Sequence, residues 1–186
     1  MGTEPAGGEE LAAVFASLIR DVPDFPQPGV VFKDITPLLA SPDALAAVVE
    51  ALAVHGRDQR GRPAVDKVVG IEARGFILAA PVALALGVGF VPVRKQGKLP
   101  GPTHEVSYAL EYGQATLAVH HDAFAAGDRV LVVDDVLATG GTVAATADLV
   151  ARAGASVAHV AVLVELGFLG GRSRIGSLEA TALLTV

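Results

Sequence analysis

The chain has no cysteine, no tryptophan and a single methionine in 186 residues. The absence of cysteine excludes a disulfide framework, a thiolate zinc site, an iron–sulfur cluster and a thiol nucleophile, and is compatible with a reducing compartment. Aromatic residues make up 5% and charged residues 18%, against 52% apolar. The core is therefore expected to be Val, Ile, Leu and Ala. At this length folding removes roughly 70% of the unfolded chain's surface from water, enough for one domain without metal or disulfide support. Positive charge is also scarce: 14 Lys and Arg stand against 20 Asp and Glu, a formal charge of −6. That balance argues against nucleic acid as a partner, yet one local basic loop can still hold a small anion.

Only one long uncharged run occurs, residues 76–93 between Arg74 and Arg94. Its length approaches that of a membrane span. Pro81, Gly87, Gly89 and Pro92 interrupt it, so it reads as a buried helix followed by a buried strand, with no membrane partner. The N-terminal MGTEPAGGEE is acidic and small where an export signal would be basic and then apolar, and Ala6 stands where a myristoylation pattern needs Ser or Thr. A cytoplasmic protein is expected.

Residues 9–21 place Leu11, Val14, Phe15, Leu18 and Ile19 at helical spacing. Three prolines in 22–29 deny that window a helix or a central strand and predict a stiff connection. Ser41, Pro42 and Asp43 open a helix that runs to about Gly56. Then two similar units follow: strand 67–71, helix 76–86 and strand 90–94; strand 129–134, helix 142–153 and strand 156–164. Strands joined by a helix form parallel crossovers, and the VLVV and VAHVAVLV runs suit strands covered on both faces. Residues 106–120 split at Gly113 into two alternating segments, predicting a hairpin. The fold class is α/β with a central, mainly parallel sheet flanked by helices.

In such sheets ligands bind at the carboxyl ends of the strands. After strand 129–134 come Asp135 and then VLATGGT. Adjacent carboxylates repel each other unless cations or hydroxyl donors meet them. Ala138, Thr139, Gly140, Gly141 and Thr142 supply small residues, hydroxyls and open backbone N–H groups at a helix N-terminus, which suits one phosphate. An acid pair beside a phosphate nest points to a sugar phosphate. At the equivalent place of the first crossover stand Ala73, Arg74 and Gly75. GIEARG has the glycine spacing of an ATP-binding P-loop but lacks its Lys and Ser or Thr, leaving a short anion loop suited to a diphosphate. Arg94, Lys95 and Lys98 precede Pro100, Gly101 and Pro102, and residues 95–107 read as a flexible lid able to close over a polyanion and exclude water. His120 and His121 would face opposite ways on a strand and are not expected to share a metal.

VLVVDDVLATGGT (130–142) resembles the phosphoribosyl diphosphate signature of type I phosphoribosyltransferases. PDFPQPGVVFKDITPLL (23–39), IEARGF (71–76), RKQGKLPGPT (94–103), SYALEYG (107–113) and VELGFLGGR (164–172), in this order, are similar to the adenine-using members of that family. The resemblance implies a type I phosphoribosyltransferase fold with a base-binding hood at about 22–40. It also implies a Mg²⁺-dependent reaction of adenine with 5-phosphoribosyl 1-diphosphate (PRPP) to give AMP and pyrophosphate, carried out by a homodimer. Asp134 and Asp135 would address the ribose hydroxyls and, mostly through water and PRPP, the metal. Residues 138–142 would cradle the 5-phosphate, Ala73, Arg74 and Gly75 the pyrophosphate, and Arg94, Lys95 and Lys98 would reach it from the lid. Phe32 would stack on adenine, main-chain atoms of Val31 and Lys33 would read its edge, and Leu166 would pack its other face. Glu111 would handle the proton on the base. Ala73 stands where the family often has Ser, which removes a hydroxyl and leaves the backbone donors. Two rivals stay open: transfer to another base such as xanthine, hypoxanthine or orotate, and a non-catalytic regulator that only binds PRPP.

Overall fold

A computed structural model of the chain describes residues 7–109 and 113–186. They fall into two compact units, Met1–Glu50 and Ala51–Val186, each considered by itself. The first contains helix α1 (Gly7–Ser17), strands β1 (Arg20–Pro23) and β2 (Val31–Asp34), the short helix α2 (Thr36–Leu39) and most of α3 (Pro42–Ala53). Helix α1 ends earlier than its apolar spacing predicts, because Arg20 and Asp21 are drawn into an antiparallel pair with β2. In that pair Arg20 lies opposite Asp34 and Asp21 opposite Lys33, and both couples form ion pairs, at 3.2 and 2.7 Å. Opposite charges directly across a strand pair support its register. The proline-rich link between β1 and β2 is held by its own bonds: the Gly29 N–H donates to Asp24 Oδ1 at 2.8 Å and the Phe25 N–H to the Val30 carbonyl at 3.2 Å.

In the second unit α3 tightens into a 3₁₀ turn (Val54–Gly56), and strand β3 (Lys67–Ile71), helix α4 (Gly75–Leu86) and strand β4 (Gly89–Lys95) follow. Strands β5 (Thr103–Ala109) and β6 (Gln114–His120) form the expected antiparallel pair. Strand β7 (Arg129–Leu137), helix α5 (Gly141–Arg152) and strand β8 (Ser156–Glu165) make the second crossover. A 3₁₀ turn (Gly167–Leu169), the five-residue helix α6 (Gly171–Ile175) and strand β9 (Ala180–Thr185) complete the unit. The seven-stranded sheet has the order β5-β6-β4-β3-β7-β8-β9, parallel from β4 to β9, with β5 and β6 antiparallel at one edge.

Val68, Val69, Ile71, Val132, Val133, Val162 and Leu163 are all buried, which accounts for the uninterrupted apolar runs. Each such side chain contributes about 1.5–3 kcal/mol on burial. Residues 76–93 resolve into α4 and β4, separated at Gly87 with φ +70°. Among the described residues no helix is long and apolar enough to cross a membrane.

Candidate functional site

Because β3, β4, β7 and β8 run parallel, the loops that follow them leave the same end of the sheet. Register brings them close: Ile71 pairs with Val93 and Gly70 with Val133. The residues immediately beyond, Glu72 to Gly75, Arg94 to Lys98 and Asp134 onward, therefore cluster at one rim.

Strand β7 runs past the expected end at Asp134 and takes in Asp135 as well, because pairing with β8 continues to Leu137 opposite Glu165. Both carboxyl groups are buried. Asp134 Oδ1 accepts a hydrogen bond from the Asp135 N–H at 2.9 Å. Burial, and then the charge of Asp135, holds the Asp134 carboxyl well above the usual carboxylate range. Burial also raises Asp135, while Arg74 pulls it back down. That guanidinium lies 2.7 Å from Asp135 Oδ2, a buried oxygen that receives no aligned hydrogen bond among the described residues. The loop expected to take a diphosphate and the acid pair are thus joined through charge. They also touch at Gly75, where a Cβ would come within 2.6 Å of Asp134 Oδ1, so the loop needs glycine there.

Glu72, to which the sequence reading attached no role, ties the same loop to the start of the lid. Its carboxylate accepts the Lys95 N–H at 2.9 Å and Arg94 Nε at 3.3 Å. The Lys95 hydrogen bond, then the Arg94 bond and charge, hold it below the usual range. Arg94 also donates to the Lys98 carbonyl at 3.0 Å. Only residues 96–102 of the expected lid are irregular; 103–107 belong to β5. The Lys95 and Lys98 side chains are exposed.

The segment expected to cradle a phosphate, 138–142, follows β7. Gly140, at φ +77°, caps α5, and residues Ala138, Thr139, Gly140 and Thr142 line a cleft of about 60 Å³. Helix α6 closes on it from outside: a Cβ on Gly140 would strike the Gly171 carbonyl, and one on Gly171 would strike the Ala138 carbonyl. Arg172 fixes α6 by reaching Glu165 with Nε at 2.9 Å and to the Ala180 carbonyl at 2.8 Å. The Tyr108 hydroxyl lies 3.1 Å from Thr142 Oγ1. Leu166 starts the 3₁₀ turn after β8, half-buried, its N–H on the Leu137 carbonyl at 2.9 Å.

In the first unit Val31, Phe32 and Lys33 lie on β2. Phe25 meets the Phe32 ring edge-on, with centroids 5.1 Å apart, and Lys33 is held by Asp21. Glu111 lies outside the described residues. His104 and His121 stack at 4.1 Å, and among the described residues no three metal-ligating side chains converge. A larger cavity of about 210 Å³ opens at the other end of β3 and β4 beside Lys67 and Gly89. Its cation is already paired with Asp128 at 2.8 Å.

At one rim of a parallel sheet the structure thus gathers the Arg74 loop, a buried acid pair and a glycine-capped helix N-terminus. Residues 35–176 match the phosphoribosyl transferase domain, and the chain belongs to that family. Over its full length it is 68% identical to an adenine phosphoribosyltransferase of Nocardioides sp., covering 98% of that protein. It matches the crystal structure of the adenine phosphoribosyltransferase of Rhodothermus marinus with TM-score 0.89 and 49% identity, over 96% of this chain and 99% of that one. The Saccharomyces cerevisiae enzyme, solved with an imino-altritol bisphosphate and adenine, matches with TM-score 0.89 and 37% identity, over 95% and 99% of the two chains.

Proposed function

We propose that this chain transfers the 5-phosphoribosyl group of PRPP to adenine, releasing pyrophosphate and forming AMP. The observation that carries this reading is the Arg74–Asp135 contact, which couples a diphosphate-sized anion loop to an acid pair standing directly before a phosphate nest. The relatives named adenine phosphoribosyltransferase supply the choice of base.

The transfer builds positive charge on the sugar and negative charge on the departing diphosphate. Backbone donors of Ala73 and Gly75 with the Arg74 guanidinium would receive the diphosphate. Arg94, Lys95 and Lys98 would add cations from the lid side and help exclude water. Asp134 and Asp135 would take the ribose hydroxyls, and Ala138 to Thr142 the 5-phosphate at the α5 N-terminus. Val31, Phe32 and Lys33 on β2, and Leu166 after β8, are the proposed adenine contacts. Phe32 stacks on the base in this reading, and backbone groups read its edge. Glu111 is the proposed proton handler at the base nitrogen.

The acid pair fits Mg²⁺. Both donors are hard carboxylate oxygens, burial destabilises their charges, and among the described residues Asp135 Oδ2 has no aligned donor. Mg²⁺ keeps waters and takes one or two carboxylates plus substrate phosphates, in place of a protein cage. Asp134 and Asp135 would hold it, mostly through water and PRPP, and its chemistry there is neutralisation of diphosphate charge.

The proposed assembly is a homodimer in the cytoplasm, where phosphorylated substrates that do not cross membranes are retained. Supporting a second copy, α4 exposes Ile77 and Leu84, two turns apart, on a helix without a charged residue.

The test is pyrophosphate release with Mg²⁺ and PRPP, offering adenine, hypoxanthine, guanine, xanthine and orotate separately, with EDTA as control. Release with adenine alone, abolished by EDTA, is expected. Release with another base would overturn the choice of adenine, and no release with any base would favour a binding protein.

A further inference from the structure

Arg174 is an exposed residue of α6, and among the described residues it has neither a hydrogen-bond nor an ion-pair partner. Its side chain nevertheless has a defined course. Arg174 Cβ lies 3.2 Å from the place where a Cβ of Gly140 would stand. Its guanidinium carbon lies 3.7 Å from the place where a Cβ of Gly141 would stand. The side chain thus runs along the glycine pair and ends over the first residue of α5. Two glycines in succession leave open the surface on which it rests. The Tyr108 ring comes within 3.3 Å of the same point, and its hydroxyl meets Thr142 Oγ1.

We infer that Arg174 is a 5-phosphate contact, supplying the full positive charge that the nest itself lacks. Residues 138–142 offer only backbone N–H groups, hydroxyls and the partial charge of the α5 N-terminus. A sugar phosphate near neutral pH carries close to two negative charges. A guanidinium on the outer side of the nest supplies a whole charge and a planar fork of donors for phosphate oxygens. Arg172, two residues away, does not serve this purpose, because Glu165 and the Ala180 carbonyl occupy its donors. Fixing Arg172 instead holds α6 in place, so that Arg174 is presented to the nest. Tyr108 is a positioning residue here, its hydroxyl meeting that of Thr142.

This inference rests on the reading of residues 138–142 as the 5-phosphate site, and the experiment separates the two. Binding of ribose 5-phosphate and of pyrophosphate is measured by calorimetry for the unaltered chain and for Arg174→Gln and Arg174→Lys. Arg174→Gln is expected to weaken ribose 5-phosphate about tenfold, the usual worth of a charge-assisted contact. Pyrophosphate should bind unchanged, because its loop lies at Ala73 to Gly75. Arg174→Lys, which keeps the charge and loses the fork, should recover part of the loss. In steady-state assays KM for PRPP should rise more than kcat falls. Equal ribose 5-phosphate binding by the unaltered chain and Arg174→Gln overturns the inference while leaving the family reading intact. Parallel loss of pyrophosphate binding, or a lowered melting temperature in Arg174→Gln, would reduce Arg174 to a structural role and also overturn it. Failure of the unaltered chain to bind ribose 5-phosphate would overturn the 5-phosphate reading itself.

Discussion

Arg74, on the loop after β3, and Asp135, within β7, meet at 2.7 Å, with the carboxylate buried and the guanidinium still one-third exposed. Arg74→Gln removes a charge from both partners: the diphosphate loses a donor, and the Asp135 carboxyl, already raised by burial, rises further. Pyrophosphate affinity is expected to fall at least about tenfold. Calorimetric titration of the variant with pyrophosphate checks this, and unchanged affinity would remove Arg74 from the diphosphate site.

Glu72→Gln tests the bond between the loop and the lid base. The folded-state carboxyl is held below its usual range, so its contribution to stability is present above the unfolded value and lost as pH falls through the folded one. The variant should be less stable than the parent at pH 7 by about 1–2 kcal/mol. The gap should narrow as the solution is acidified below the ordinary glutamate range and vanish once the folded-state carboxyl is protonated. Urea unfolding of both proteins at pH 7 and in acid decides the point; a gap that persists in acid would contradict the assignment.

Gly140→Ala should be among the most damaging single changes in the nest. It combines φ +77° with a clash against the Gly171 carbonyl. A loss of about 1–3 kcal/mol is expected, with ribose 5-phosphate binding falling alongside. A thermal melt matching the parent's would show that α6 moves away freely, contrary to its tether through Arg172.

Glu111→Gln, predicted from the resemblance of SYALEYG, should lower kcat by about 10² to 10⁴ while PRPP binding is largely kept. Single-turnover rates together with PRPP titration separate these effects, and unchanged turnover would remove Glu111 from the mechanism.

What the sequence made legible follows from what is contiguous along it. The bounds of β3 and the break between β5 and β6 agree with the pattern because burial period and glycine punctuation are local signals. The acid pair and the nest were readable because eight consecutive positions, 135–142, carry most of them. Glu72 on Arg94 was not, since that bond depends on Ile71 standing beside Val93 in a parallel register. The extension of β7 through two aspartates runs against strand preference, and only pairing with β8 overrides it. Helix α6 has five residues, too few to display a helical period, and β9 is defined by its long-range pairing with β8. Arg174 therefore had no sequence signal apart from being one more exposed cation.

The carboxylate of Glu72 also sets how the site can be re-engineered. Because one side chain grips both the Lys95 N–H and Arg94 while being joined by a peptide bond to Ala73, the proposed lid base and the proposed diphosphate loop are bonded to each other. Loop grafts or library designs that treat residues 94–98 as a cassette independent of 72–75 would import half of a joint. A functional transplant has to carry both segments together, with the strand register that aligns them.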